Sequence, residues 1–178
     1  IIPAWGGCKE MLARVTTEGL VGLGPMAATM MVFENIGMAK IAKSAQQAKD
    51  LGYLRSSDRI TMNRDHVLSN AKSYLLELAE DYSPPKPHVY NLPGPSGRSA
   101  LTMALNDLAI AGHATPHDIT VIGELAKVLT GGDCDHTREL SEDDILALER
   151  KAISKLARNE LTLDRMEHML GKGKPLRN

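Results

Sequence analysis

Apolar residues recur along this chain at intervals of three and four, the spacing that lines one face of an α-helix. Over 65–80, Val67, Leu68, Ala71, Leu75 and Leu78 share one side. Ser44 with Gln47 has the form of a capping box; Ala45, Ala48 and Leu51 follow as an apolar stripe, and Gly52 stands where a helix-ending glycine belongs. Residues 99–111 carry Leu101, Ala104, Leu105 and Leu108 and close at Gly112. Thr115-Pro116-His117-Asp118 supplies an N-cap, a first-turn proline and an acidic third residue. The helix it opens presents Ile119, Ile122, Leu125, Ala126 and Leu129 and stops at Gly131-Gly132. Ser141 and Asp144 form another box, with Leu140 and Ile145 placed as a hydrophobic staple ahead of Leu148, Ala152 and Leu156. A last helix is expected from Thr162 through Met166, Met169 and Leu170 to Gly171. Arg59-Ile60-Thr61-Met62 predicts a short strand. The pattern reads as mainly α, with at most one or two short strands.

Pro84, Pro85, Pro87, Pro93 and Pro95, with Gly94 and Gly97 beside them, interrupt this periodicity. Proline lacks the amide donor and restricts its predecessor to extended conformations, so no regular helix is expected there. The chain divides accordingly into a helical segment at 1–82, a linker or ordered loop at 83–97, and a C-terminal helical lobe at 98–178. No repeat recurs at the periods of solenoid proteins.

Composition narrows the function classes. The 178 residues carry 21 basic and 22 acidic side chains and only 3% aromatics, which argues against a nucleic-acid partner. No apolar run approaches the roughly 20 residues that span a bilayer. Two cysteines, Cys8 and Cys134, cannot build a disulfide framework, so a reducing, cytoplasmic setting is expected. A chain that opens on Ile1-Ile2-Pro3 reads as a piece of something longer.

Candidate chemistry is sparse. Pro3-Ala4-Trp5-Gly6-Gly7 is a glycine-bearing turn running into the amphipathic Met11-Leu12-Ala13-Arg14-Val15. Amides at such a helix start can hold an anion or a polarised carbonyl oxygen, or the turn can simply pack on a core. His113, His117, Cys134 and His136 have the side chains of zinc ligands, though not the spacing of a standard finger. Cys8 near a helix start invites a nucleophile reading without a nearby histidine. Glu10, Glu18 and Glu34 have the carboxylates of general acids or bases, but nothing in the sequence pairs any two of them. Met26, Met30, Met31 and Met38 lie at helical intervals beside Phe33 and Ile36, as ordinary core or as an adaptable acyl-chain pocket. Lys172, Lys174 and Arg177 close the chain, complementing a helix dipole or approaching a phosphorylated ligand such as coenzyme A.

Together, Ile2-Pro3-Ala4-Trp5-Gly6-Gly7, Phe33-Glu34-Asn35-Ile36-Gly37 and Ser44–Leu54 resemble the crotonase (enoyl-CoA hydratase/isomerase) superfamily. Arg165-Met166-Glu167-His168-Met169-Leu170 with Gly173-Lys174-Pro175-Leu176-Arg177-Asn178 resembles the C-terminus of long bacterial 3-hydroxyacyl-CoA dehydrogenases, in which a crotonase module comes last. The resemblance implies the helical C-terminal portion of such a module in a fatty-acid β-oxidation enzyme. That portion would cover the acyl-CoA site and assist homo-oligomerisation. Pro3, Trp5, Gly6, Gly7 and Met30 become candidate substrate-binding residues. Catalytic carboxylates and oxyanion amides would lie upstream, so no catalytic residue and no metal ligand is carried over. NAD would serve the parent enzyme and no cofactor this piece, which is expected to be inactive alone. Two other classes stay open: a helical interaction module docking through its Met26–Met38 face, and a zinc-binding helical domain.

Overall fold

The computed structural model describes residues 1–178. It is 59% helical with one two-stranded sheet, the mainly α class that the periodicity predicts. The helices are α1 (Gly7–Thr17), α2 (Pro25–Gly37), α3 (Ala45–Asp50), α4 (Val67–Ala79), α5 (Gly94–Ile110), α6 (Pro116–Leu129), α7 (Glu142–Leu156) and α8 (Glu160–Lys172). A single 3-10 turn at Arg64–His66 leads into α4. The strands β1 (Tyr90–Asn91) and β2 (Glu139–Leu140) pair antiparallel, Tyr90 opposite Leu140.

The helix starts follow local hydrogen bonding. At α6, Asp118 N–H donates to the Thr115 hydroxyl at 3.1 Å while Thr115 N–H donates to the Asp118 carboxylate at 2.9 Å. At α7 the reciprocal Ser141–Asp144 bonds are 3.2 and 2.9 Å, and the staple residues Leu140 and Ile145 are both buried. At α3 only half the box forms. Ser44 Oγ accepts from Gln47 N–H at 3.0 Å, but the Gln47 side chain accepts from Lys43 rather than from Ser44.

Three expectations need correction. Helix α5 begins at Gly94, inside the proline-rich stretch and five residues before the expected start at Ser99. Pro93 is its N-cap and Pro95 lies in its first turn, where a backbone N–H has no helical partner to lose, so these prolines open the helix. Gly94 has φ +62°, and a Cβ there would lie 2.6 Å from the Cys134 carbonyl oxygen, so the turn into α5 requires glycine. Helix α8 starts at Glu160, two residues early, because Asn159 caps the Leu161 N–H at 3.0 Å, and it continues past Gly171 to a left-handed Gly173. The strand at Arg59–Met62 is absent. A four-residue strand has nothing to pair with, since the only sheet is β1–β2.

One cluster of 22 buried apolar residues forms the core. It draws on both sides of 83–97: Leu12 and Val15 of α1, Val32 of α2, Leu101 and Leu105 of α5, Leu125 and Leu129 of α6, Ile145 and Leu156 of α7. Helix α6 is the central element and packs on α1, α2, α5 and α7. Helix α4 buries no residue, so its Val67–Leu78 stripe faces outward.

Candidate functional site

The opening turn is a strained, closed structure. Trp5 and Gly6 take left-handed φ values of 72° and 92°, and Ala4 N–H donates to Ile2 C=O at 2.9 Å. Trp5 points into solvent at 95% exposure, and Pro3 is also exposed. A Cβ on Gly7 would come within 2.7 Å of the Pro3 ring, which keeps that position small. The amides at the start of α1 already have an acceptor. Glu149 of α7, only 1% exposed, takes the Gly6 N–H at 2.5 Å and the Lys9 N–H at 2.9 Å. Its carboxylate is an internal cap, placed where the positive end of the helix favours an anion.

Charge around that cap is balanced in layers. Lys9 Nζ lies 2.5 Å from Glu10 and 2.9 Å from Glu142. Burial alone would lower the Lys9 pKa, but hydrogen bonds and attraction from these two carboxylates hold it above the usual lysine range. The Tyr90 hydroxyl donates to Lys9 C=O at 3.3 Å, and burial pushes its pKa up to about 12. Cys8 is no activated nucleophile: burial first, then the Glu149 charge, raise its thiol well above the usual range. Glu18 accepts from Ser56, and Glu34 lies exposed beside Lys40 at 3.0 Å. With Glu10 on Lys9, the three candidate carboxylates serve three separate local partners.

Two adjoining apolar clefts lie on another part of the surface. Met30 lines the smaller, about 380 Å³, with Phe33 and Ala104. The larger, about 800 Å³, runs between the end of α2, the middle of α6, α8 and the C-terminal tail. Gly37, Met38, Leu108 and Ile122 line both, so they form one continuous depression. Its size falls in the range of small-molecule sites. Pro3, Trp5, Gly6 and Gly7 line neither cleft, so the structure does not bring them together with Met30. Met26 and Met31 pack half-buried against the core.

Arg165 closes the larger cleft, a role that sequence reasoning missed. Its Nη1 donates to Asp118 at 2.8 Å, Nε to the Asn178 side chain at 2.7 Å, and Nη2 to the Thr115 hydroxyl and Asn178 C=O at 3.2 Å each. One guanidinium thus ties α8, the cap of α6 and the end of the chain. Arg177, largely exposed, adds a bond to His113 C=O at 2.9 Å and lies 3.6 Å from the Asp118 carboxylate. Asp118 had an evident reason to exist as a capping residue, which hid its second use. Burial alone would raise the Asp118 pKa, but hydrogen bonds from Thr115 N–H, Arg165 and the Thr115 hydroxyl outweigh it and leave it lowered.

His117 sits beneath this clamp, 1% exposed, with Nε2 2.9 Å from the Thr162 hydroxyl and Nδ1 unpartnered. Burial, then repulsion from Arg165, lower its pKa from the ordinary 6.5. The folded chain therefore binds this proton less well than the unfolded chain. Stability from His117 is fully present above pH 6.5 and falls as pH drops from there toward its lowered folded value. Urea midpoints measured between pH 5 and 8 are expected to drop on the acid side with a slope of at most about 1.4 kcal/mol per pH unit from this group. His117→Asn should flatten that slope; an unchanged slope would remove His117 as its source.

The four zinc candidates do not converge. His117 is tied to Thr162, His113 lines the larger cleft, His136 is exposed beside Asp135, and Cys134 lies against Thr130 C=O. No group of three or more His, Cys, Asp or Glu side chains is placed to hold a metal ion. Helix punctuation and surface placement account for these residues. No helix is long and apolar enough to cross a membrane.

Fold and site together define a helical chain with an apolar depression beneath a tail held by Arg165, Arg177 and Asn178. Over its whole length the chain is 36% identical to a probable 3-hydroxyacyl-CoA dehydrogenase of Bacillus subtilis (strain 168), of which it spans 22%. No family model matches the chain, and no solved structure matches it.

Proposed function

We propose that this chain is the C-terminal part of a bifunctional, cytoplasmic fatty-acid β-oxidation enzyme that pairs a 3-hydroxyacyl-CoA dehydrogenase with a crotonase-type enoyl-CoA hydratase. Its role is to cover the acyl-CoA site and assist oligomerisation. The observation that carries this reading is similarity along the entire chain to about a fifth of a 3-hydroxyacyl-CoA dehydrogenase. The depression lined by Met30, Met38, Ile122 and Leu125 suits an acyl chain, because methionine and branched aliphatic walls adapt to a flexible apolar ligand. Exposed Arg177, with Lys172 and Lys174 nearby in sequence, supplies cations for a phosphorylated carrier such as coenzyme A.

In this reading hydration and dehydrogenation belong to the remainder of the enzyme. The chain's buried carboxylate, Glu149, is committed to capping α1. The paired-glycine helix start is filled by the same group and so offers no free amides to a pyrophosphate, and in this reading NAD falls to the remainder as well. A coupled assay of the 178-residue chain with crotonyl-CoA is expected to show no hydratase turnover. Robust turnover would place catalytic carboxylates within this chain and refute the reading.

A further inference from the structure

The stretch from Arg59 to Ala79 is built like an element pair that lacks the layer it should pack on. The main-chain N–H and C=O groups of Arg59, Ile60, Thr61 and Met62 find no hydrogen-bond partner in the protein. Every second residue of such an open run can turn its N–H and C=O to the edge of a sheet. Their side chains alternate. Arg59 turns toward α4, its Nη2 2.6 Å from Glu77 and its guanidinium 3.9 Å over the Tyr74 ring. Thr61 Oγ1 accepts from Asn70 at 3.3 Å, again toward α4. Ile60 and Met62 are left exposed, Met62 at 92%. Helix α4 shows the same imbalance: Val67, Leu68, Leu75 and Leu78 form a core-type stripe, yet all four are exposed. The chain's own sheet offers no place for the segment, being two short strands, β1 and β2, far from it in sequence.

We propose that residues 59–79 are a strand-and-helix unit whose sheet is supplied by the rest of a longer polypeptide. Arg59–Met62 pairs along that sheet's edge, and α4 lays its Val67–Leu78 stripe over the neighbouring strands. This rests on the reading of the chain as part of a larger enzyme, supported by a relative of which the chain spans only 22%. The occupant is that remainder rather than a second copy of this chain. A second copy offers another four-residue edge and another α4 stripe but no sheet for α4 to cover, and an isolated two-stranded ribbon is marginal in water.

Hydrogen exchange on the 178-residue chain and on the intact polypeptide that carries it separates the outcomes. Only alternate residues of an edge strand bond the neighbouring strand, so either the Thr61 amide or those of Ile60 and Met62 are expected to exchange freely in the chain alone and about a hundredfold or more slowly in the intact polypeptide. Proline at the protected position, Thr61→Pro in one register and Met62→Pro in the other, deletes a ladder donor and should leave melting of the chain alone nearly unchanged while weakening the protection of the unit in the intact polypeptide. Free exchange in the intact polypeptide would overturn the proposal. So would protection in the isolated chain that grows with its concentration, the signature of a second copy. A source polypeptide no longer than this chain, seen by intact mass, would instead fail the underlying reading.

Discussion

Glu149→Ala is expected to destabilise the chain by about 3–5 kcal/mol, measured as a shift in urea unfolding with an unchanged m-value. The carboxylate is 1% exposed and accepts two backbone N–H groups, from Gly6 and Lys9. Each bond to a charged acceptor contributes about 1.5–3 kcal/mol, and truncation strands donors at the start of α1 in a dry site. The turn has no alternative cap, because N-cap Gly6 brings no side chain. The loss spreads further, since α1 carries Cys8, Met11, Leu12 and Val15 into the core. Glu149→Gln should cost less than Glu149→Ala, because the amide oxygen still accepts one bond while its NH₂ faces the other donor. Because the group is buried, added salt should change these differences little. An Ala variant within 1 kcal/mol of the parent would mean that this cap does not hold α1 to α7.

Arg165→Ala is expected to cost about 2–4 kcal/mol and to free the tail after Gly173. The guanidinium makes four hydrogen bonds at 2.7–3.2 Å, and its ion pair with Asp118 is largely screened from water, with side chains 14% and 18% exposed. Such a pair is weak evidence for net stability, but removing Arg165 leaves the half-buried Asp118 with only the longer contact to Arg177 at 3.6 Å as its ion pair. Arg165→Lys should rescue little, since an ammonium cannot reach Asp118, Thr115 and Asn178 from one planar fork. Limited proteolysis should cut the tail of the Ala variant several times faster than that of the parent. A double-mutant cycle with Asp118→Ala should give a coupling of about 1–3 kcal/mol. Additive effects would show that the two side chains act separately.

Most of the helical skeleton is legible in the sequence because its signals are local. The Thr115–Asp118 and Ser141–Asp144 boxes form as their spacing predicts, since both partners lie within one turn. The start of α5 is not legible in the same way. Proline forbids a helix interior but opens a first turn, and sequence alone does not say which position Pro93 and Pro95 occupy. The strand at Arg59–Met62 shows the opposite failure, because alternation is local and pairing is not. The same limit governs the site. Glu149 meets Gly6 across 143 residues and Arg165 meets Asp118 across 47, so neither pairing leaves a periodic trace. The depression arises where α2, α6, α8 and the tail converge, which spacing along any one helix does not encode.

These features make one account. A stable helical body is organised on α6, its first helix is held by an internal carboxylate, and its tail is pinned over an apolar depression. Its outward α4 stripe and open main-chain edge are surfaces that a larger enzyme would cover. The intact mass of the polypeptide that carries this sequence in its source cell tests that account most directly. The account predicts a polypeptide several times heavier than the 19.3 kDa of this chain, because the chain spans 22% of the relative it matches. A source polypeptide of 19.3 kDa would contradict it.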